Sequence, residues 1–205
     1  MTLRTYDNSL RKQSAAATVA RIVEATAALH AERGALGTTH ADIAQVAGVS
    51  LATVYKHFPT REALLPHCTG LVVGKAPAIA RQALLDAPEP QAQLAMLVAA
   101  LHAQYAYFHP WRRWHARDAH ALPFLQELAD GARAQTESLV RAVLDSAAGA
   151  PVDDAAYAMA MVVLDYPAWQ RLTQMLRDPR QVADCCCQAL SRLLPQITPP
   201  QRSNA

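Results

Sequence analysis

Between Thr39 and Phe58 the chain reads THADIAQVAGVSLATVYKHF, with residue types spaced as for two short helices joined by a tight turn. Helices that cross closely need a small residue at the approach, and Ala44 supplies it. The turn needs a residue that accepts positive φ, and Gly48 supplies that. Ile43, Ala47, Val49 and Val54 take the inward positions. Thr39 with Asp42 three residues on has the form of a capping box, and Ser50 can cap the second helix. That helix leaves Leu51, Thr53, Lys56 and His57 outward, side chains suited to entering a DNA major groove. An ordinary helical hairpin can carry the same Ala-Gly-Val turn, so the spacing alone leaves both readings open.

A second constellation lies in HAQYAYFHPWRRWHARDAH, His102 to His120. Tyr105, Phe108, Trp111 and Trp114, with His102 and nearby Phe124, set large apolar surface beside polar handles, the make-up of a small-molecule pocket. Core filling is the alternative. Asp165 interrupts the apolar run AMAMVVLDYPAW beside Tyr166, Pro167 and Trp169. A lone carboxylate in such a run either faces a cavity or meets a partner, with Arg113 and Arg117 as candidates. The candidate ligand-binding set is His102, Tyr105, Phe108, Trp111, Trp114, Phe124, Asp165, Tyr166 and Trp169.

Metal and redox chemistry are poorly served. His115 and His120 are five apart, whereas three or four residues separate side chains on one helical face. Cys185, Cys186 and Cys187 are consecutive, and successive helical residues point ~100° apart, so the three cannot jointly grip one ion. They suit the filling of small gaps on a buried helix. No Gly-rich phosphate loop, HExxH or serine elbow is present. No cofactor and no metal site are expected.

The elements that must position these residues are helices. Apolar positions recur at helical spacing almost throughout, and no stretch alternates with period two for long. Val19, Ile22, Val23, Thr26 and Leu29 make one stripe, closed at Gly34. Short helices are expected over 40–47 and 51–58, with a new start after Thr60. A later helix carries Leu94, Val98, Leu101, Tyr105 and Phe108 on one face and stops before Pro110. Further helices are expected over 111–117, 124–147, 153–176 and 180–194, with a kink at Pro167. The fold class is all-α, with about nine helices.

The segment TTHADIAQVAGVSLATVYKHFPTREALL, Thr38 to Leu65, closely resembles the DNA-binding signature of the TetR (tetracycline repressor/AcrR) family of bacterial regulators. The matching residues are Thr38-Thr39, Ile43-Ala44, Ala47-Gly48-Val49, Tyr55-Lys56-His57-Phe58, Arg61 and Leu64-Leu65. The preceding VARIVEATAALHAERG fits the family's first helix, and the resemblance spans about residues 15–65. Arg61 stands where lysine is commoner, and Lys56 occupies a variable position. The resemblance implies a helix-turn-helix domain over 1–60 and a helical effector-binding and dimerisation domain over 61–205. It implies phosphate contacts from Thr39, Tyr55, His57 and Arg61, and base-edge contacts from Leu51, Thr53 and Lys56. With the cap Ser50 these form the candidate DNA-binding set.

The same resemblance implies a homodimer through the last two long helices, a palindromic operator in double-stranded DNA, and a repressor released by a small-molecule inducer. Helical apolarity agrees on the dimer: 155–164 is apolar all round, and the final helix shows stripes at Val182, Cys186, Ala189, Leu193 and at Ala183, Cys187, Leu194. The rival functions are a small all-α enzyme, or a redox- or metal-responsive regulator using the His102–His120 or Cys185–Cys187 cluster.

Composition bounds these readings. The chain has 205 residues, 52% hydrophobic and 18% charged, which excludes a disordered chain. No secretory h-region opens the sequence, and the longest strongly apolar run is far short of the ~20 residues that span a bilayer, so a cytoplasmic, membrane-free protein is expected. The net charge of +2 argues mildly against a polyanion partner until it is divided along the chain. Residues 1–62 hold seven basic side chains (Arg4, Arg11, Lys12, Arg21, Arg33, Lys56, Arg61) and five acidic ones (Asp7, Glu24, Glu32, Asp42, Glu62). The remainder is balanced, so the whole excess lies with the helix-turn-helix. Arg4, Arg11 and Lys12 form either a basic arm reaching DNA or a solvated tail.

Overall fold

The computed structural model describes residues 8–194. Eleven helices are formed there and no strand among the described residues. In order they are α1 (Asn8–Arg33), α2 (His40–Ala47), α3 (Leu51–His57), α4 (Arg61–Gly74), α5 (Arg81–Leu85), α6 (Pro90–Arg112), α7 (His115–Asp118), α8 (Pro123–Ala148), α9 (Asp154–Leu164), α10 (Tyr166–Leu176) and α11 (Pro179–Leu193).

The chain forms two compact units. One runs through Ala76 and takes in His109–Leu128; the other comprises Pro77–Phe108 and the chain from Ala129 onward. The division expected from the sequence falls at residue 60, just ahead of α4. The first unit holds all of α4 and also includes α7, for reasons visible in its hydrogen bonds.

In the first unit, α1 buries Ile22, Val23 and Leu29 against Leu64, Leu65, Cys68 and Val72 of α4 and Ile43, Ala44 and Ala47 of α2. Each large aliphatic side chain buried there is worth roughly 1.5–3 kcal/mol. α1 ends where Gly34 takes φ 79, as its position after the apolar stripe predicts. The 109–128 segment then clasps that end. Trp111 Nε1 donates to Ala27 O at 2.9 Å, and Trp114 Nε1 to Ala31 O at 3.1 Å. Arg113 donates to Ala31 O and Glu32 O at 3.0 and 3.1 Å, and Arg117 to Arg33 O at 2.8 Å. Beyond the helix, Asp118, only 2% exposed, accepts from Ala35 N at 2.6 Å and Leu36 N at 3.4 Å. The last carbonyls of a helix lack intrahelical donors. Here Arg113, Trp114 and Arg117, from a distant stretch of sequence, supply donors to those of Ala31, Glu32 and Arg33.

In the second unit, Leu94, Leu97, Val98, Leu101 and Tyr105 of α6 pack with Leu139, Val140, Val143 and Leu144 of α8, Ala160 and Leu164 of α9, and Cys186 and Leu190 of α11. The helix expected over 153–176 is two helices. Asp165 leaves helical geometry at φ −78, ψ 163, and its Oδ1 accepts from Ala168 N at 2.7 Å as the N-cap of α10. Pro167 therefore sits in a first turn, where its missing N–H costs nothing, and it kinks no helix. α6 also differs from expectation: it passes Pro110 and ends at Arg112.

α11 buries Val182, Cys186 and Leu190 in its own unit's core, while Gln181, Asp184, Cys185, Gln188 and Arg192 are exposed. The final helix is thus apolar on its inner side and largely polar on its outer one. α9 is different: Ala155, Ala158, Met159 and Val162 are exposed together.

Candidate nucleic-acid interface

The two helices of the turn are built as their residue types require. Thr39 Oγ1 accepts from Asp42 N at 3.2 Å while Asp42 Oδ2 accepts from Thr39 N at 2.9 Å, a complete capping box at the head of α2. The Thr39 hydroxyl also donates to Asp42 Oδ2 at 2.7 Å. These bonds, the Thr39 hydroxyl first, hold the Asp42 carboxyl below its ordinary pKa. Gly48 closes α2 at φ 63, ψ 41, the left-handed conformation that the turn demands. Ser50 then caps α3, accepting from Thr53 N at 3.1 Å, and its hydroxyl pairs with that of Thr53 at 2.8 Å.

With both ends fixed, α3 buries Val54 completely and turns its other residues outward. Leu51 is 43% and Tyr55 49% exposed, Lys56 is exposed, and Thr53 and His57 are half-buried. Exposed large apolar side chains beside a lysine on a capped short helix make a surface for groove edges. The candidate residues Ser50, Leu51, Thr53, Tyr55, Lys56 and His57 are brought together on or at the head of this element. Thr39 is exposed at the head of α2. Arg61, the first residue of α4, donates through Nη2 to Thr38 O at 3.3 Å, which ties the head of α4 to the lead-in of α2.

His40 was not among the residues drawn from the sequence. Its ring stacks on Tyr55, centroids 4.7 Å apart and planes 4° from parallel, and its Nε2 lies 3.0 Å from Phe58 O. Arg4 of the proposed basic arm lies outside the described residues, and Arg11 and Lys12 are exposed on α1.

The nine ligand-binding candidates are drawn from both units. Trp111, Trp114 and Phe124 belong to the first unit, where both indole N–H groups are spent on α1 carbonyls. Two guanidiniums also lie over the Trp114 ring, Arg113 at 4.7 Å and Arg117 at 4.9 Å from its centroid. His102, Tyr105, Phe108, Asp165, Tyr166 and Trp169 belong to the second unit. Tyr105, Tyr166 and Trp169 form a mutual cluster at 5.7–6.0 Å between centroids, and the Tyr105 hydroxyl donates to Leu164 O at 2.7 Å. Phe108 packs edge-on against Tyr107. His102, its pKa lowered by burial, has Nε2 3.9 Å from Cys186 Sγ. Within the first unit, the Arg113 and Arg117 guanidiniums serve the α1 clasp.

Among the described residues no group of three or more His, Cys, Asp or Glu side chains is placed to hold a metal ion. Cys185 is exposed, Cys186 buried and Cys187 intermediate, so the three point apart. Burial pushes the Cys186 thiol up to about 11 and raises Cys187 as well, away from the reactive thiolate. Among the described residues no helix is long and apolar enough to cross a membrane.

A capped helix-turn-helix with an exposed second helix defines a DNA-binding module of that class. Residues 22–68 match the family model for bacterial regulatory proteins, tetR family. The fold is similar to the crystal structure of a TetR family transcriptional regulator, PfmR from Thermus thermophilus. The two share 22% identity over 87% of this chain and 100% of that one, with a TM-score of 0.56. No curated protein matches the chain. The matched segment takes in α2 and α3, which build the interface, and runs into α4.

Proposed function

We propose that this DNA-binding regulator is a homodimeric repressor, acting in the cytoplasm, that leaves a palindromic operator when a small molecule enters its C-terminal unit. The observation that carries the DNA side is α3, fixed by Ser50 and Gly48 with Leu51, Tyr55 and Lys56 outward. Thr39, Tyr55, His57 and Arg61 hold phosphates and fix register, while Leu51, Thr53 and Lys56 read base edges. Lys56 donates to guanine O6 or N7; Leu51 or the Thr53 methyl packs on a thymine methyl.

Dimerisation is supported by the apolar residues left outward on α9 and by Met175, 70% exposed on α10. A two-fold dimer presents two α3 helices to neighbouring major grooves, which calls for a palindromic site. The effector site is supported by the Tyr105, Tyr166 and Trp169 cluster with Asp165 beside it. Repression is relieved only if the effector binds the DNA-incompetent state more tightly.

The test is a mobility-shift assay with DNA flanking the chain's own gene, alongside tryptophan fluorescence titrated with a compound library. A shift reversed by a compound that quenches wild type but not Trp169→Phe is expected. A shift that no quenching compound reverses would contradict the effector reading.

A further inference from the structure

We infer that His40 is a positioning residue for DNA binding, holding the Tyr55 ring ready for its phosphate; this rests on the reading of Tyr55 given above. His40 is the first residue of α2, so its backbone is fixed by the adjacent capping box at Thr39. A carbonyl oxygen only accepts, so the 3.0 Å approach to Phe58 O places the proton on Nε2. The imidazole is thereby held both by its own helix and by the residue that ends α3. Tyr55 lies flat on this fixed plane at 4.7 Å, yet 49% of its surface remains open. An exposed aromatic side chain on a short helix ordinarily samples several rotamers, and ordering it on binding costs affinity. The His40 plane removes that freedom beforehand and leaves the Tyr55 side chain open to a partner.

His40 contributes twice, by different atoms. Nε2–H satisfies the carbonyl that follows the last turn of α3, and the π-face orders Tyr55. Substitutions separate the two: His40→Phe keeps a ring to stack on and loses the hydrogen bond, whereas His40→Ala loses both.

The experiment is a double-mutant cycle in the full chain. DNA affinity is measured by fluorescence anisotropy on a duplex that the wild-type protein selects from a randomised library. Removing His40 is expected to weaken binding about two- to tenfold, the cost of ordering one side chain. In a Tyr55→Ala background the same removal should change affinity by less than about twofold, and His40→Phe should recover part of the loss with Tyr55 present. Thermal unfolding of each variant is followed in parallel, because a purely structural role would lower the melting temperature and weaken binding equally in both backgrounds. Equal losses in the two backgrounds, or no loss at all, would overturn the inference. A wild-type protein that selects no duplex would instead overturn the DNA-binding reading itself.

Discussion

Tyr55, Lys56 and His57 are consecutive, yet the account gives them different work. Phosphate contacts are the same on every sequence, so Tyr55→Ala and His57→Ala should weaken binding to all duplexes by similar factors. Lys56→Ala should change which duplex is preferred, measured by competition between sites that differ at single base pairs; an unchanged preference would remove its base-reading role. His30 makes a separate prediction. It is 8% exposed, with Nδ1 3.7 Å from Cys68 Sγ, and burial is the main cause that lowers its pKa from 6.5 to about 4, against the opposing pull of Asp118. Above pH 6.5 both folded and unfolded chains hold it neutral, so it adds no pH dependence there. Between about 6.5 and 4 the unfolded chain takes up a proton that the folded one does not. Stability should therefore fall by up to about 3 kcal/mol across that window. Urea unfolding at several pH values should show this slope, and His30→Gln should flatten it.

At the scale of elements, α2 and α3 were legible in the sequence because local signals fixed both ends of each: Thr39, Gly48, Ser50 and the helical spacing between them. Gly48→Ala should cost about 1–2 kcal/mol, a conformational penalty alone, since an added Cβ would meet only Arg21 Nη1 at 4.0 Å. The 153–176 break was missed because Asp165 read as a buried charge in an apolar run. The adjacent Pro167 is the signal that identifies it as an N-cap. The clasp on α1 was not legible at all, since Ala27, Ala31 and Ala35 reveal nothing of partners more than eighty residues away. Arg113, Trp114, Arg117 and Asp118 read as an aromatic and charged cluster, and only the fold assigns them to a helix end. Asp118→Ala would strip the acceptor from the Ala35 and Leu36 amides, and a loss of about 1–3 kcal/mol is expected from the urea midpoint. An unchanged midpoint would show that water replaces the carboxylate without cost.

For the whole molecule, the sequence marked the binding end by charge as well as by motif: the +2 excess lies in residues 1–62. Acidic residues offset most of the basic ones there, so the proposed affinity rests on a pair of subunits and a few placed contacts. Binding should weaken linearly in log–log form with added salt, with a slope set by the number of phosphates contacted. The proposed effector cluster was only half legible, because aromatic composition cannot distinguish Tyr105, Tyr166 and Trp169, which meet, from Trp111 and Trp114, which bond α1 carbonyls. Dimerisation through α9 should be lost in Val162→Glu, with sedimentation equilibrium reporting monomer and operator affinity falling with it. The central claim is sequence-specific binding by a pair of α3 helices. Its most direct test is selection from a fully randomised duplex library with the full-length protein, followed by sequencing. The account predicts enrichment of a two-fold palindrome whose half-sites lie about one helical turn apart, with the preferred bases altered in Lys56→Ala. Recovery of unenriched sequence, or of a site without two-fold symmetry, would contradict it.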